Sequence, residues 1–169
     1  FWIAPIRDGR QWWRFVTSAF LHVNATHLFI NMFVLWEFGR VLERILGATT
    51  FLIIYIGSLL AGNIWEYVDK KNQPDYRAVG ASGATSGVVL SFSVLLPFAM
   101  LGLFFIIPMW AIVAAALFIS VSYFLSRRPN TMIAHGAHLG GALAGAALTF
   151  LLVPGSWSRL LAQIAERLG

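Results

Sequence analysis

Residues 78–126 read AVGASGATSGVVLSFSVLLPFAMLGLFFIIPMWAIVAAALFISVSYFLS, 49 positions without a single charge. As one helix this stretch would run about 73 Å at 1.5 Å per residue, far beyond a hydrocarbon core of about 30 Å. It must therefore fold back on itself. Pro97 and Pro108 both interrupt a helical pattern, so the turn is expected between them. That divides the stretch into spans near 82–98 and 108–126. Two membrane-crossing helices in tandem fix the fold class, and the flanking sequence extends the pattern.

Upstream, residues 48–65 (ATTFLIIYIGSLLAGNIW) are also free of charge, and a span is expected over 48–68. Downstream, Arg127, Arg128, Pro129 and Asn130 make a loop, and residues 134–153 form a further span stopped by Pro154 and Gly155. The segment 27–46 (HLFINMFVLWEFGRVLERIL) is apolar in its first half and carries Glu37, Arg40, Glu43 and Arg44 in its second. It is read as a span whose charged half reaches one interface. Residues 156–169 set Trp157, Leu160, Leu161 and Ile164 against Arg159, Gln163 and Arg167, the pattern of an amphipathic helix lying on a membrane surface. The expectation is an all-α membrane protein of five spans, with loops at 1–26, 69–81 and 127–133 on one side. No repeat of 20–50 residues and no low-complexity tract is present.

Composition agrees. Of 169 residues, 59% are apolar and 11% charged, against roughly 45–50% and 25% in soluble domains. An ordinary soluble fold, disorder, a collagen-like chain and a nucleic-acid module are excluded. The seven Trp, four Tyr and fourteen Phe suit lipid-facing and interfacial positions. The chain has no Cys, so disulfides, Cys-ligated zinc and thiol catalysis are out. A net charge of +5 is spread along the chain rather than clustered. Because the first residue is Phe1, the chain is expected to be processed or part of something longer. Residues 1–14, with Arg7, Asp8, Arg10 and Arg14, are not a secretory signal.

The informative residues are polar groups inside apolar runs, where lipid makes them costly. All four His lie at the beginnings of spans: His22, His27, His135 and His138. Asn31 follows His27 by four residues, on the same helical face. Ser82 and Ser86 open the span at 82–98. Given the loop assignment, these groups start from one membrane side, as the lining of a wet cavity would. Gly83/Gly87, Gly136/Gly140 and Gly141/Gly145 are G-x-x-x-G pairs, which let helix backbones approach closely. Such packing could bring a Ser hydroxyl to a His ring, the contact a Ser–His nucleophile pair requires. His27, Asn31 and the Ser82 amide could donate to a developing oxyanion. Taken singly, each feature also has a plain structural reading: glycines pack, an interfacial His is solvated, and a buried Asn bridges helices. The pattern is not G-x-S-x-G, since Ala84 replaces the last Gly. H-E-x-x-H is absent as well.

Taken together, the residues resemble the rhomboid family of intramembrane serine proteases, bacterial type, from about Trp12 to Gly145. The matching pieces are Trp13-Arg14; His22-x4-His27-x3-Asn31-Met32; Gly39 with Glu43 and Gly47; Gly80-Ala81-Ser82-Gly83; and Ala137-His138-Leu139-Gly140-Gly141. The resemblance implies a domain over 1–155. Ser82 would be the nucleophile and His138 the general base, with an oxyanion hole of His27, Asn31 and the Ser82 amide. His22, His135, Gly80, Gly83, Gly141 and Gly145 would line or pack the cavity, and Trp13 and Arg14 would sit in a lipid-dipping first loop. It also implies single-span membrane proteins as substrates, a bilayer as partner, no cofactor, metal or nucleic acid, and a bacterial inner membrane with the site opening outward.

The chain departs from the family pattern in three ways. A family span that precedes the Trp-Arg loop is not in the sequence. Ser86 stands four residues after the nucleophile, where the family has an aromatic ring stacked on the catalytic His. The loops expected outside hold Arg7, Arg10, Arg14, Lys70, Lys71, Arg77, Arg127 and Arg128, eight of twelve basic residues, against the positive-inside rule. Ser86 is a minor rival nucleophile and His135 the runner-up base. The rival functions are a pseudoprotease that binds membrane clients without cutting them, and a haem or metal protein using the four His.

Overall fold

The structure is a computed structural model that describes residues 1–103, 107–128 and 133–169. It is mostly helical. The helices are α1 (Ile3–Arg7), α2 (Arg14–Thr17), α3 (Ala25–Val34), α4 (Arg40–Leu46), α5 (Ala48–Lys70), α6 (Ser82–Leu95), α7 (Ala111–Ser126), α8 (His135–Leu152) and α9 (Ser156–Leu168). A π-helical turn, Leu35–Gly39, joins α3 to α4, so residues 25–46 run on without a break. Asn24 starts that run by accepting the His27 amide on its side chain at 2.8 Å, an ordinary N-cap. Gly47, at φ +78°, ends it and turns the chain directly into α5.

Two helices among the described residues, α5 and α8, are long and apolar enough to cross a membrane. A third candidate arises if 14–20 and 25–46, bent by 100°, count as one span. α6 and α7 are shorter apolar helices of 14 and 16 residues.

The chain is not wholly helical. Between Pro97 and Pro108, where the sequence predicts a turn, lies an antiparallel hairpin of β1 (Met100–Leu103) and β2 (Ile107–Trp110). β2 takes residues 108–110 of the expected span 108–126. Pro108 explains the shortening. With no N–H and a fixed φ it disfavours a helix interior, yet suits a strand at the edge of a two-stranded sheet. Residues 104–106 of that connection, and residues 129–132 of the expected 127–133 loop, lie outside the described residues.

Two further differences concern the ends. The expected loop 1–26 contains α1, α2 and a 3-10 turn at Ser18–Phe20. Its start is tied to the 69–81 loop: Ile3 N–H donates to Tyr76 O at 3.2 Å, Ala4 N–H to Pro74 O at 3.1 Å, and Ala78 N–H to Phe1 O at 3.2 Å. Phe1, Ile3 and Ile6 are buried there beneath Phe15, Tyr67 and Tyr76. At the other end, α9 buries Leu160 and leaves Trp157 and Leu161 exposed. The Arg167 guanidinium lies 5.2 Å over the Trp110 ring and 6.0 Å over Phe98, so the tail also packs on the hairpin.

The core is a three-helix seam of α5, α6 and α8 built on glycine. A Cβ added at Gly141 would lie 2.1 Å from the Gly83 carbonyl oxygen, and one at Gly145 2.2 Å from that of Gly87. A Cβ at Gly62 would meet the Ala137 oxygen at 2.5 Å. Backbone touches backbone at all three points, the close approach that small residues permit. Deeper in the seam, the hydroxyls of Ser91 and Thr149 hydrogen-bond at 2.6 Å.

Candidate active site

Ser82 is the first residue of α6, and the turn that delivers it depends on Gly80. Gly80 has φ +118°, and a Cβ there would come within 2.6 Å of the His27 ring. Glycine alone accommodates both the backbone and the ring. The turn is pinned from the first loop, where Gly80 N–H donates to Ser18 O at 3.0 Å. Asn63 on α5 holds the same loop, donating from Nδ2 to Phe15 O at 2.7 Å and to Ser18 Oγ at 3.3 Å. His27 therefore lies against the residue two before Ser82. As a first-turn residue, Ser82 has an amide with no acceptor in its own helix, and among the described residues no backbone carbonyl elsewhere takes it.

His138 stands in the first turn of α8, its amide donating to Ala134 O at 3.2 Å. The glycine seam sets its distance from Ser82: Gly83, next to Ser82, faces Ala137 and Gly141, which flank His138. A Cβ on Gly83 would lie 3.2 Å from the Ala137 oxygen. A small cavity of about 10 Å³, room for one water at most, touches Ser82 between Ser18, Asn63, Gly80, Gly83 and Ala137. No hydrogen bond joins Ser82 to His138 among the described residues. Nucleophile–base contacts are often loose without substrate.

The other expected residues fall around this pair. Asn31 is buried; its Nδ2 donates to the His27 carbonyl at 2.9 Å, and its Oδ1 accepts from Thr85 Oγ1 of α6 at 3.1 Å. That leaves one Nδ2 hydrogen for another acceptor. His22 packs edge-on against His27 at 5.1 Å, with its Nε2 buried and unpartnered. His135 packs edge-on against His138 at 5.9 Å. Gly80 and Gly83 sit at the turn and the seam, and Gly141 and Gly145 on the face of α8 that meets α6. Trp13 is exposed, and Arg14, half-buried, donates from Nε to Gln11 Oε1 at 2.6 Å. Both lie on the first loop. No group of three or more His, Asp or Glu that could hold a metal comes together among the described residues.

Phe118, Glu66 and Tyr76 escape the sequence reading, whereas Ser86 is read there as a minor rival nucleophile. The Ser86 Oγ donates to the Ser82 carbonyl at 2.6 Å, back along its own helix. The ring near His138 is instead Phe118 of α7, stacked at 6.1 Å with planes 26° apart. One apolar residue among the many of α7 carries no signal of such a role. Glu66 and Tyr76 are hydrogen-bonded to each other, and Glu66 reaches the first turn of α8. Glu66 had a detectable signal, because it closes the charge-free run at 48–65.

The family model of the Rhomboid domain matches residues 9–155. The chain is 38% identical over 145 residues to a Bacillus subtilis protein named "Putative rhomboid protease YdcA", covering 85% of this chain and 68% of that one. It is 35% identical over 134 residues to "Rhomboid protein 1, mitochondrial" of Saccharomyces cerevisiae, and 32% identical over 135 residues to the human "Presenilin-associated rhomboid-like protein, mitochondrial". Those matches cover 77% and 76% of this chain. The chain spans only 39% of the yeast relative and 35% of the human one.

Proposed function

The chain belongs to the rhomboid family, and from that premise we propose that it is an intramembrane serine endopeptidase working through Ser82 and His138. Membership implies a multi-pass membrane protein of a family that acts within the bilayer. The five spans, the dyad and the substrate are the proposal's own. The observation that carries it is the backbone contact of α6 and α8 at Gly83 and Gly141, which holds a hydroxyl and an imidazole at the same end of two packed helices.

In this reading His138 takes the Ser82 proton as Oγ attacks the scissile carbonyl. The oxyanion is met by the free Ser82 amide, the spare Asn31 Nδ2 hydrogen and His27. Donors fixed before the reaction stabilise the charge as it develops. His138 then protonates the leaving amine, and a water hydrolyses the acyl-enzyme with His138 again as base. Phe118 restricts the His138 ring in the place of the missing aromatic at position 86. The substrates are single-span membrane proteins whose helix opens at the cleavage point, because a helical backbone hides the carbonyl from attack. The spans lie near 27–46, 48–68, 82–98, 111–126 and 134–153. The membrane is a bacterial inner membrane with the Ser82 end facing outward, and α9 rests at the opposite interface.

The test is labelling of the full-length protein by a fluorophosphonate, alongside cleavage of a membrane substrate. Ser82→Ala loses both and Ser86→Ala keeps both. Labelling that survives Ser82→Ala refutes the assignment. A second reading is a pseudoprotease that binds clients uncut, kept open by Ser86 standing where the family has an aromatic ring. Client binding with neither labelling nor turnover would establish it.

A further inference from the structure

Glu66 is the first charged residue of α5, near its end, with only 2% of its surface exposed. Burial of that kind is costly unless the group is paired, and nothing in the proposed chemistry uses it. Its two oxygens face two different parts of the site. Oε1 accepts the Tyr76 hydroxyl. Tyr76 belongs to the loop that leads to Ser82, six residues before it, and its backbone is clamped to Ile3. Burial first, and the Glu66 carboxylate second, push the Tyr76 phenol above its ordinary range, so it remains a protonated donor. Oε2 is buried with no closed hydrogen bond and lies against the first turn of α8. A Cβ on Gly136 would come within 2.3 Å of it.

That turn lacks a cap of its own. The residue before α8 is Ala134, which offers no side-chain hydrogen bond, and the first turn holds no acidic residue. A helix start leaves orphan amides and a partial positive charge, which a carboxylate satisfies. Here the carboxylate comes from a neighbouring helix, two residues before His138.

We infer that Glu66 is a positioning residue, capping the start of α8 from α5 while gripping Tyr76, so that His138 and the Ser82 loop are held to one point. The inference rests on the protease reading. Glu66 touches neither substrate nor the reacting atoms; it fixes the separation of the two groups that do. Gly136 belongs to the device, since any side chain there would take the space of Oε2.

The test uses the full-length protein with a fluorogenic transmembrane substrate, fluorophosphonate labelling and thermal unfolding. Glu66→Ala lowers kcat about 10- to 100-fold, the scale of an ångström-sized misplacement, with KM within about twofold because substrate contacts are untouched. Glu66→Gln keeps an acceptor for Tyr76 and recovers most of the loss. Gly136→Ala reproduces the defect with Glu66 intact, and the Gly136→Ala/Glu66→Ala double variant is no worse than the poorer single one, as expected of residues acting as a unit. If Glu66→Ala does not fold, Tyr76→Phe, which removes one hydroxyl, and Gly136→Ala carry the test. Unchanged kcat in the folded variants overturns the inference. So do losses that multiply in the double variant, or that only follow the fraction unfolded with no rescue by Gln. Wild-type protein that shows no Ser82-dependent labelling overturns the protease reading and this inference with it. Normal labelling in both wild type and Glu66→Ala overturns this inference alone.

Discussion

Replacing Gly141 by alanine tests whether backbone contact between α6 and α8 sets the site. The new Cβ would stand 2.1 Å from the Gly83 oxygen, 2.7 Å from its carbonyl carbon and 3.0 Å from its Cα. All three are backbone atoms, so no rotamer change relieves the clash. Real Cβ contacts do not fall below 3.0 Å, so the helices must separate by at least 3.0 − 2.1 = 0.9 Å. His138 lies one turn before Gly141 and Ser82 is bonded to Gly83, so nearly all of that shift appears between base and nucleophile. A displacement near 1 Å costs about 100-fold in rate, and overpacking costs about 1–3 kcal/mol in stability. Gly145→Ala is the internal comparison. Its Cβ would lie 2.2 Å from the Gly87 oxygen, a nearly equal clash two turns from His138. Similar destabilisation is expected, with a smaller loss of kcat. The assay is kcat and KM on a transmembrane substrate, with unfolding followed in the same detergent. Wild-type kcat in Gly141→Ala, or equal kcat losses in the two variants at equal stability, would refute the reasoning.

Phe118→Ala lowers kcat and fluorophosphonate labelling about 10-fold by freeing the His138 ring, and Phe118→Tyr restores both, since a stacked pair is worth roughly 0.5–1.5 kcal/mol; unaltered labelling in the alanine variant removes Phe118 from the site. Asn31→Ala lowers kcat by about 10²–10³, the scale of one lost oxyanion donor. Thr85→Val, which removes the hydroxyl bonded to Asn31 Oδ1, lowers it far less, so equal losses would make Asn31 a helix bridge rather than a donor. Asn63→Leu removes both bonds to the first loop and leaves the Phe15 carbonyl unsatisfied, at a cost of about 1–3 kcal/mol. Faster hydrogen exchange over residues 12–20 is the readout, and unchanged exchange there denies Asn63 the anchoring role.

The sequence carried the helical framework because lipid imposes simple rules. Charge-free length located α5 and α8, and the prolines located the connection after α6. Those rules say nothing of what fills a connection. The strands β1 and β2 are all apolar, as a helix there would be, and only Pro108 hints at an edge strand. The site was legible where chemistry conflicts with lipid: Ser82, Asn31 and four histidines stand out among Leu, Ile and Phe. Partners that conform to lipid were illegible, and Phe118 is the example. Glu66 lay between these cases. It conflicts with lipid but stands at a span end, where a carboxylate has a cheap explanation, and only its contact with Gly136 shows otherwise.

Glycine does at this site what a hydrophobic core does in a soluble enzyme. Between helices in lipid, apolar burial supplies no net attraction, because the tails are as apolar as the side chains. Precision must then come from surfaces that fit at one distance only. Side chains are poor spacers, since rotamers change, whereas two backbones in contact have no such freedom. Gly62, Gly83, Gly87, Gly141 and Gly145 put backbone or short side chains in contact where α5, α6 and α8 face one another. Positions facing outward, such as Leu143 and Leu151, carry no such constraint. Substitution by another apolar residue at Leu151 leaves kcat unchanged, while one methyl at Gly141 does not. A chain that tolerated both alike would be held together by something other than its glycine seam.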